Sequence, residues 1–75
     1  MNNRKNELVL SALDLVRVGE ALEEAKRKLR MLVEQGVPYE SEEVKKAFDK
    51  CFLLQQQWKE LEAKHIRLKN RITGN

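Results

Sequence analysis

Apolar residues at alternating three- and four-residue spacings run through this chain twice, and one breaker, Gly36-Val37-Pro38, separates the two runs. No other feature restricts the fold as much. In the second run Val44, Ala47, Cys51, Leu54, Trp58, Leu61, His65, Leu68 and Ile72 hold the spacing over about four heptads, the seam of a helix lying along another helix. In the first run Leu8, Ala12, Leu15, Gly19, Leu22, Lys26, Leu29 and Val33 do the same. Leu8, Leu15, Leu22 and Leu29 share one heptad position. The other position is small or polar at Ala12, Gly19 and Lys26, so the two seams differ in kind.

The break between them reads as a tight connection. Gly36 suits a left-handed helix cap, and Pro38 cannot continue the first helix but can begin the next. Asn6 is the expected cap of the first helix, and Ser41 or a residue just before it caps the second, where Glu42 and Glu43 favour the positive helix end. A connection this short makes the helices antiparallel neighbours. The reading is an all-α fold: one domain over 1–75, a two-helix antiparallel coiled-coil hairpin with a helix over 6–35, a turn over 36–40 and a helix over 41–72. Opposed residues then have numbers summing to about 77. This pairing puts Val33 against Val44, Lys26 against Cys51, Gly19 against Trp58 and Ala12 against His65, so that the indole meets the glycine. Glu23 with Arg27 and Glu24 with Lys28 are acid-first pairs four apart that mark a solvated face.

Composition excludes several function classes. The chain has 75 residues, of which 5% are aromatic and 36% charged. It is too short to close a sizeable core without staples or a partner. One cysteine and one histidine rule out an internal disulfide and a Cys/His zinc site within one chain. No stretch approaches the roughly 18 apolar residues of a membrane span. Arg4 and Lys5 ahead of Leu8, Val9 and Leu10 imitate a signal peptide, but Glu7 and Asp14 interrupt the run, so a cytoplasmic location is expected.

Few residues invite chemistry. His65 and Cys51 have the spacing of seam residues, and no Ser, Cys or carboxylate is expected beside the imidazole, so both read as structural. Lys26 reads as a seam lysine that extends its charge outward. Phosphate loops, metal-spaced clusters and nucleophile elbows are missing from the sequence. No catalytic, cofactor-binding or metal-binding residue is assigned, no cofactor is expected, and the chain is read as a non-enzyme.

Two surfaces remain. Val9, Leu13 and Val16 on the first helix and Phe48, Phe52 and Ile66 on the second fall on one flank of the hairpin, outside the seam. Leaving them all in water forfeits more than a small domain's usual margin of stability. The flank is therefore the expected homodimer interface, closing a four-helix bundle, or the site of a protein partner, with Phe52 near its centre. The second surface is basic. Lys64, Arg67, Lys69 and Arg71 have no acid among them, and antiparallel folding brings Arg4 and Lys5 to the same end, a candidate polyanion contact. Stacking aromatics, which single-stranded nucleic acid favours, are missing there.

Over 36–58, Glu43-Val44, Ala47, Cys51, Leu54 and Trp58 stand where the small sporulation-type aspartyl-phosphate phosphatases have their acid, their apolar positions and their closing aromatic. The chain resembles that family in this segment. The resemblance implies an antiparallel helical hairpin acting in a response-regulator pathway. It does not carry the working residues over, because the family's Ser-Gln pair falls at Phe48-Asp49 and its acidic catalytic residue at Phe52. Hairpin co-chaperones of type III secretion have a similar outline. The expected function is thus a non-enzymatic protein-interaction module, a small regulator, adaptor or co-chaperone. The alternatives are a diverged phosphatase-like regulator and a nucleic-acid binder that uses the basic end.

Overall fold

The computed structural model describes residues 3–72, with side chains for 6–72. Among them are two helices, α1 (Asn3–Glu34) and α2 (Glu42–Ile72), packed antiparallel as a hairpin measuring 54 × 16 × 14 Å. No described helix is long and apolar enough to cross a membrane. α1 begins three residues before Asn6, which sits exposed inside the helix and caps nothing. The reason is local. Asn3, Arg4 and Lys5 contain no breaker, and adding a residue to an existing helix costs far less than nucleating one.

The connection is built as the sequence implies. α1 ends in a Schellman motif: Gly36 has φ of 81°, its N–H donates to the Val33 carbonyl at 3.0 Å, and the Val37 N–H donates to the Leu32 carbonyl at 3.1 Å. Two carbonyls that the helix end would leave unpaired are thereby satisfied. The Ser41 N–H then donates to the Pro38 carbonyl at 3.0 Å. Ser41 caps α2 from outside the helix, its Oγ accepting the Val44 N–H at 3.3 Å, while Glu42 and Glu43 occupy the first turn and Lys69 and Arg71 the last. Both charge placements complement the helix dipole.

The seam of α2 is as read: Val44 is buried, and every seam position from Ala47 to Ile72 is at least half-buried. The seam of α1 is not. Leu8, Leu15, Leu22 and Leu29 face α2, but their companions are Ser11, Val18, Ala25 and Leu32, all buried or half-buried. Of the expected companions, Ala12 and Gly19 are half-buried, Lys26 is exposed, and Val33 is 46% exposed although Val44 is 1% exposed. The expected pairs Val33 with Val44 and Lys26 with Cys51 are therefore absent from the seam.

Burying the Lys26 ammonium would strip its water without a partner, whereas Ala25 and Leu32 are apolar one position away. α1 turns that side inward near the connection. Lys26 instead lies 3.9 Å from Glu23 on the surface, an exposed pair worth little. It stands where the spacing suggested Glu23 with Arg27.

The level of the pairing is nonetheless right. Gly19 sits against Trp58, and a Cβ added to it would lie 3.5 Å from the indole Nε1. Among the described residues the buried apolar side chains are Leu22, Ala25 and Val44 alone. That is a small core for two helices of about thirty residues each, since single domains of this size are already marginal.

Candidate functional site

Two grooves run along the line where the helices meet, one on each side. The front groove, about 1000 Å³, has Leu15, Val16, Gly19, Leu22 and Trp58 in its floor and walls, with Glu20, Lys26, Arg27, Gln55 and Lys59 around them. The back groove, about 420 Å³, is floored by Ala21, Ala25, Leu32 and Ala47 and rimmed by Glu24, Lys28, Glu43, Lys46 and Lys50. Residues seven apart on a helix share a face, which assigns the remaining positions to one side or the other.

By that rule all six expected interface residues lie on the front. Val16 lines the front groove itself, and Val9 is seven before it. Leu13 is seven before Glu20, Phe48 seven before Gln55, Phe52 seven before Lys59, and Ile66 seven after Lys59. All six are exposed, from 44% for Phe48 to 63% for Phe52.

Val33, seven after Lys26, joins them. So does Tyr39, whose ring stacks on Phe48 at a centroid distance of 5.9 Å and an interplanar angle of 24°. Eight of the eleven exposed large apolar residues among those described are therefore on this side. Leu10 and Met31 share the outer position of Glu24, and Leu53 shares that of Lys46 on the back. The large exposed apolar side chains are thus concentrated on the front, among charged residues that include Glu20, Glu23, Lys26, Arg27 and Lys59, while the back has small apolar residues in its floor and charges at its rim.

The six do not form an unbroken strip. Val9, Leu13, Val16 and Ile66 gather toward the open end, and Phe48 and Phe52 toward the turn. At 1.5 Å per residue, Phe52 and Ile66 are about 21 Å apart along α2. The groove over Gly19 and Trp58 fills the interval, so the midpoint of the face is this groove and Phe52 lies on its turn side.

Polar chemistry gathers at the open end. Ser11, only 5% exposed, has its Oγ 2.7 Å from His65 Nδ1 and 2.9 Å from the Leu8 carbonyl. A serine beside the imidazole was not expected from spacing, which had put Ala12 there. The signal existed: Ser11 begins the column that continues through Val18, Ala25 and Leu32. A hydroxyl has one hydrogen. We assign it to the Leu8 carbonyl, which makes His65 Nδ1–H the donor to Ser11 Oγ. So arranged, the pair acts as a part-buried polar clamp between the helices.

Cys51 is free and half-buried in the seam. No three His, Cys, Asp or Glu residues among those described come together to hold a metal.

Of the basic residues, Lys64, Arg67, Lys69 and Arg71 are exposed, and the side chains of Arg4 and Lys5 lie outside the described residues. The end is not purely basic, because Glu7 of α1 and Arg71 of α2 line one small cavity with Leu68 and Ile72. In comparisons with known proteins, no family model, curated protein or solved structure matches this chain.

Proposed function

We propose that the chain is a protein-interaction module that pairs with a second copy of itself through the apolar front, closing a four-helix bundle, and acts by binding rather than by catalysis. One observation carries this reading: among the described residues the hairpin buries three apolar side chains and leaves eight large ones exposed on a single side. Monomers tolerate exposed hydrophobes singly, whereas a face of them marks an interaction site. Half-burying each side chain contributes roughly 1 kcal/mol, a sum that matters beside so small a core. Phe48 and Phe52 stand where the resembled phosphatases carry polar working residues, and as exposed aromatics they support adhesion over catalysis. A polyanion role draws less support, since Glu7 shares the basic end with Arg71.

Sedimentation of Phe52→Asp and Val16→Asp tests the reading. Each substitution places a charge on the proposed interface without entering the seam. The expected result is a shift toward the monomer mass with the helical circular dichroism retained. Dimers of unchanged affinity in both variants would refute the assignment of the interface, and a parent chain that is monomeric at high concentration would refute the pairing.

A further inference from the structure

We infer that α1 has a second packing on α2, reached by a turn about its own axis, and that two polar groups, the Lys26 ammonium and the Ser11 hydroxyl, hold it in the one observed. The inference is independent of the pairing proposed above, because it concerns contacts within one chain. Three columns of α1 carry it. Leu8, Leu15, Leu22 and Leu29 face α2, flanked on one side by Ser11, Val18, Ala25 and Leu32 and on the other by Ala12, Gly19, Lys26 and Val33. At 3.6 residues per turn, a rotation of about 50° exchanges one flanking column for the other at the seam and keeps the leucines between the helices. Lys26 apart, each column consists of residues that a seam accepts, Ser11 through its bond to His65.

Three features of the hairpin fit the second packing better than the first. Gly19 weakens the helix relative to alanine, yet a Cβ there would meet Trp58 at 3.5 and 3.7 Å, ordinary contact, so the observed packing does not demand glycine. The turned packing does, because it brings this column to the middle of the seam, under the indole. Val33 is 46% exposed beside a seam in which Val44 is 1% exposed, and the turn buries it. The open groove of about 1000 Å³ lies against Val16, Gly19 and Trp58, and the same rotation carries Val16 into it.

Two polar groups oppose the turn. It would move the Lys26 ammonium, now on the surface 3.9 Å from Glu23, to the side of Cys51, which offers it no charge in exchange for its water. It would also part Ser11 Oγ from His65 Nδ1, now 2.7 Å away, and set Ala12 against the imidazole. The effect reaches the surface. Val33 leaves the front and Val16 sinks toward the seam, while Val18, Ala25 and Leu32 move out toward the back groove. Rotation of α1 thus decides which side of the hairpin offers its apolar residues, a discrete change of the kind that packed helices undergo.

Methyl contacts measured by nuclear magnetic resonance test the inference, by whether Leu32 or Val33 lies nearer to Val44. Val44 is 1% exposed, so these contacts arise within one chain and do not depend on a second copy. The parent should show the stronger contact from Leu32. In the double variant Ser11→Ala, Lys26→Leu, which removes both restraints and keeps good helix formers, the balance should shift toward Val33. Adding Gly19→Ala should shift it back, since a methyl group fits the observed packing and crowds the turned one. A double variant with the parent's balance overturns the inference. So does one in which neither contact survives, because α1 then has no fixed face to exchange. A shift that Gly19→Ala does not reverse overturns it as well, because loosening of the hairpin and not a second packing would then be the cause.

Discussion

Gly19 and Ser11 show how much one residue decides in a hairpin with so few buried side chains. Glycine inside a helix is less favourable than alanine by about 1 kcal/mol, and the space at Gly19 admits a methyl group, since the nearest indole atoms would lie at 3.5 and 3.7 Å. Gly19→Ala should therefore raise stability by about 0.5–1 kcal/mol. Gly19→Leu should instead lower it by about 1–3 kcal/mol through overpacking against Trp58. Urea unfolding at one fixed chain concentration checks both, and a leucine variant more stable than the alanine variant would mean that Trp58 does not hold this position. Ser11→Ala removes the acceptor of His65 Nδ1–H and leaves a half-buried donor unpaired, at a cost of about 1 kcal/mol after the better helix propensity of alanine is counted. An unfolding midpoint unchanged from the parent would show that water replaces the hydroxyl.

Among the elements the connection is the most closely specified. Gly36 has φ of 81° and nothing within 4 Å of where a Cβ would stand, so the cost of a side chain there is conformational and not steric crowding by neighbours. Gly36→Ala should destabilise by about 1–2 kcal/mol, read as a lower thermal midpoint with unchanged helix content. A fall of less than a few tenths of a kcal/mol would mean that the Schellman turn relaxes into another cap. α2 has a continuous seam and complementary charges at both ends. α1 has a broader stripe, from which packing selects Ser11, Val18, Ala25 and Leu32 in preference to the column of Lys26 and Val33. The difference leaves Val33 exposed on the side that the proposed pairing uses.

For the molecule as a whole, the proposed pairing ties stability to concentration. A chain whose folded form is a dimer loses its partner on unfolding, so mass action raises the melting temperature as the chain is concentrated. Tenfold more protein should raise it by roughly 2–5 °C, and a midpoint independent of concentration over two decades would count against an obligate dimer. The same mass action requires that Phe52→Asp melt lower than the parent at equal concentration, even though Phe52 contributes nothing to the seam.

Periodicity carried most of the architecture. Two runs of heptad-spaced apolar residues around one Gly-x-Pro break determine two antiparallel helices, the capping roles of Gly36 and Ser41, and the level at which Gly19 meets Trp58, because each depends on chain-local geometry or on matching two lengths across a short turn. Outside the seam, spacing alone places Val9, Leu13, Val16, Phe48, Phe52 and Ile66 on one side of two antiparallel helices, and the structure leaves all six exposed.

Rotation of a helix about its own axis is different. Whether α1 buries Ala25 and Leu32 or Lys26 and Val33 depends on the desolvation of one ammonium and on the shape of the opposing seam. Periodicity shifts by a single residue between those choices and does not distinguish them. The placement of Ser11 against His65 follows from that rotation. So does the division of the apolar face by a groove, since the void over Gly19 and Trp58 exists only once both helices are packed. Local spacing set which residues can share a face, and the tertiary structure decided which of them water still reaches.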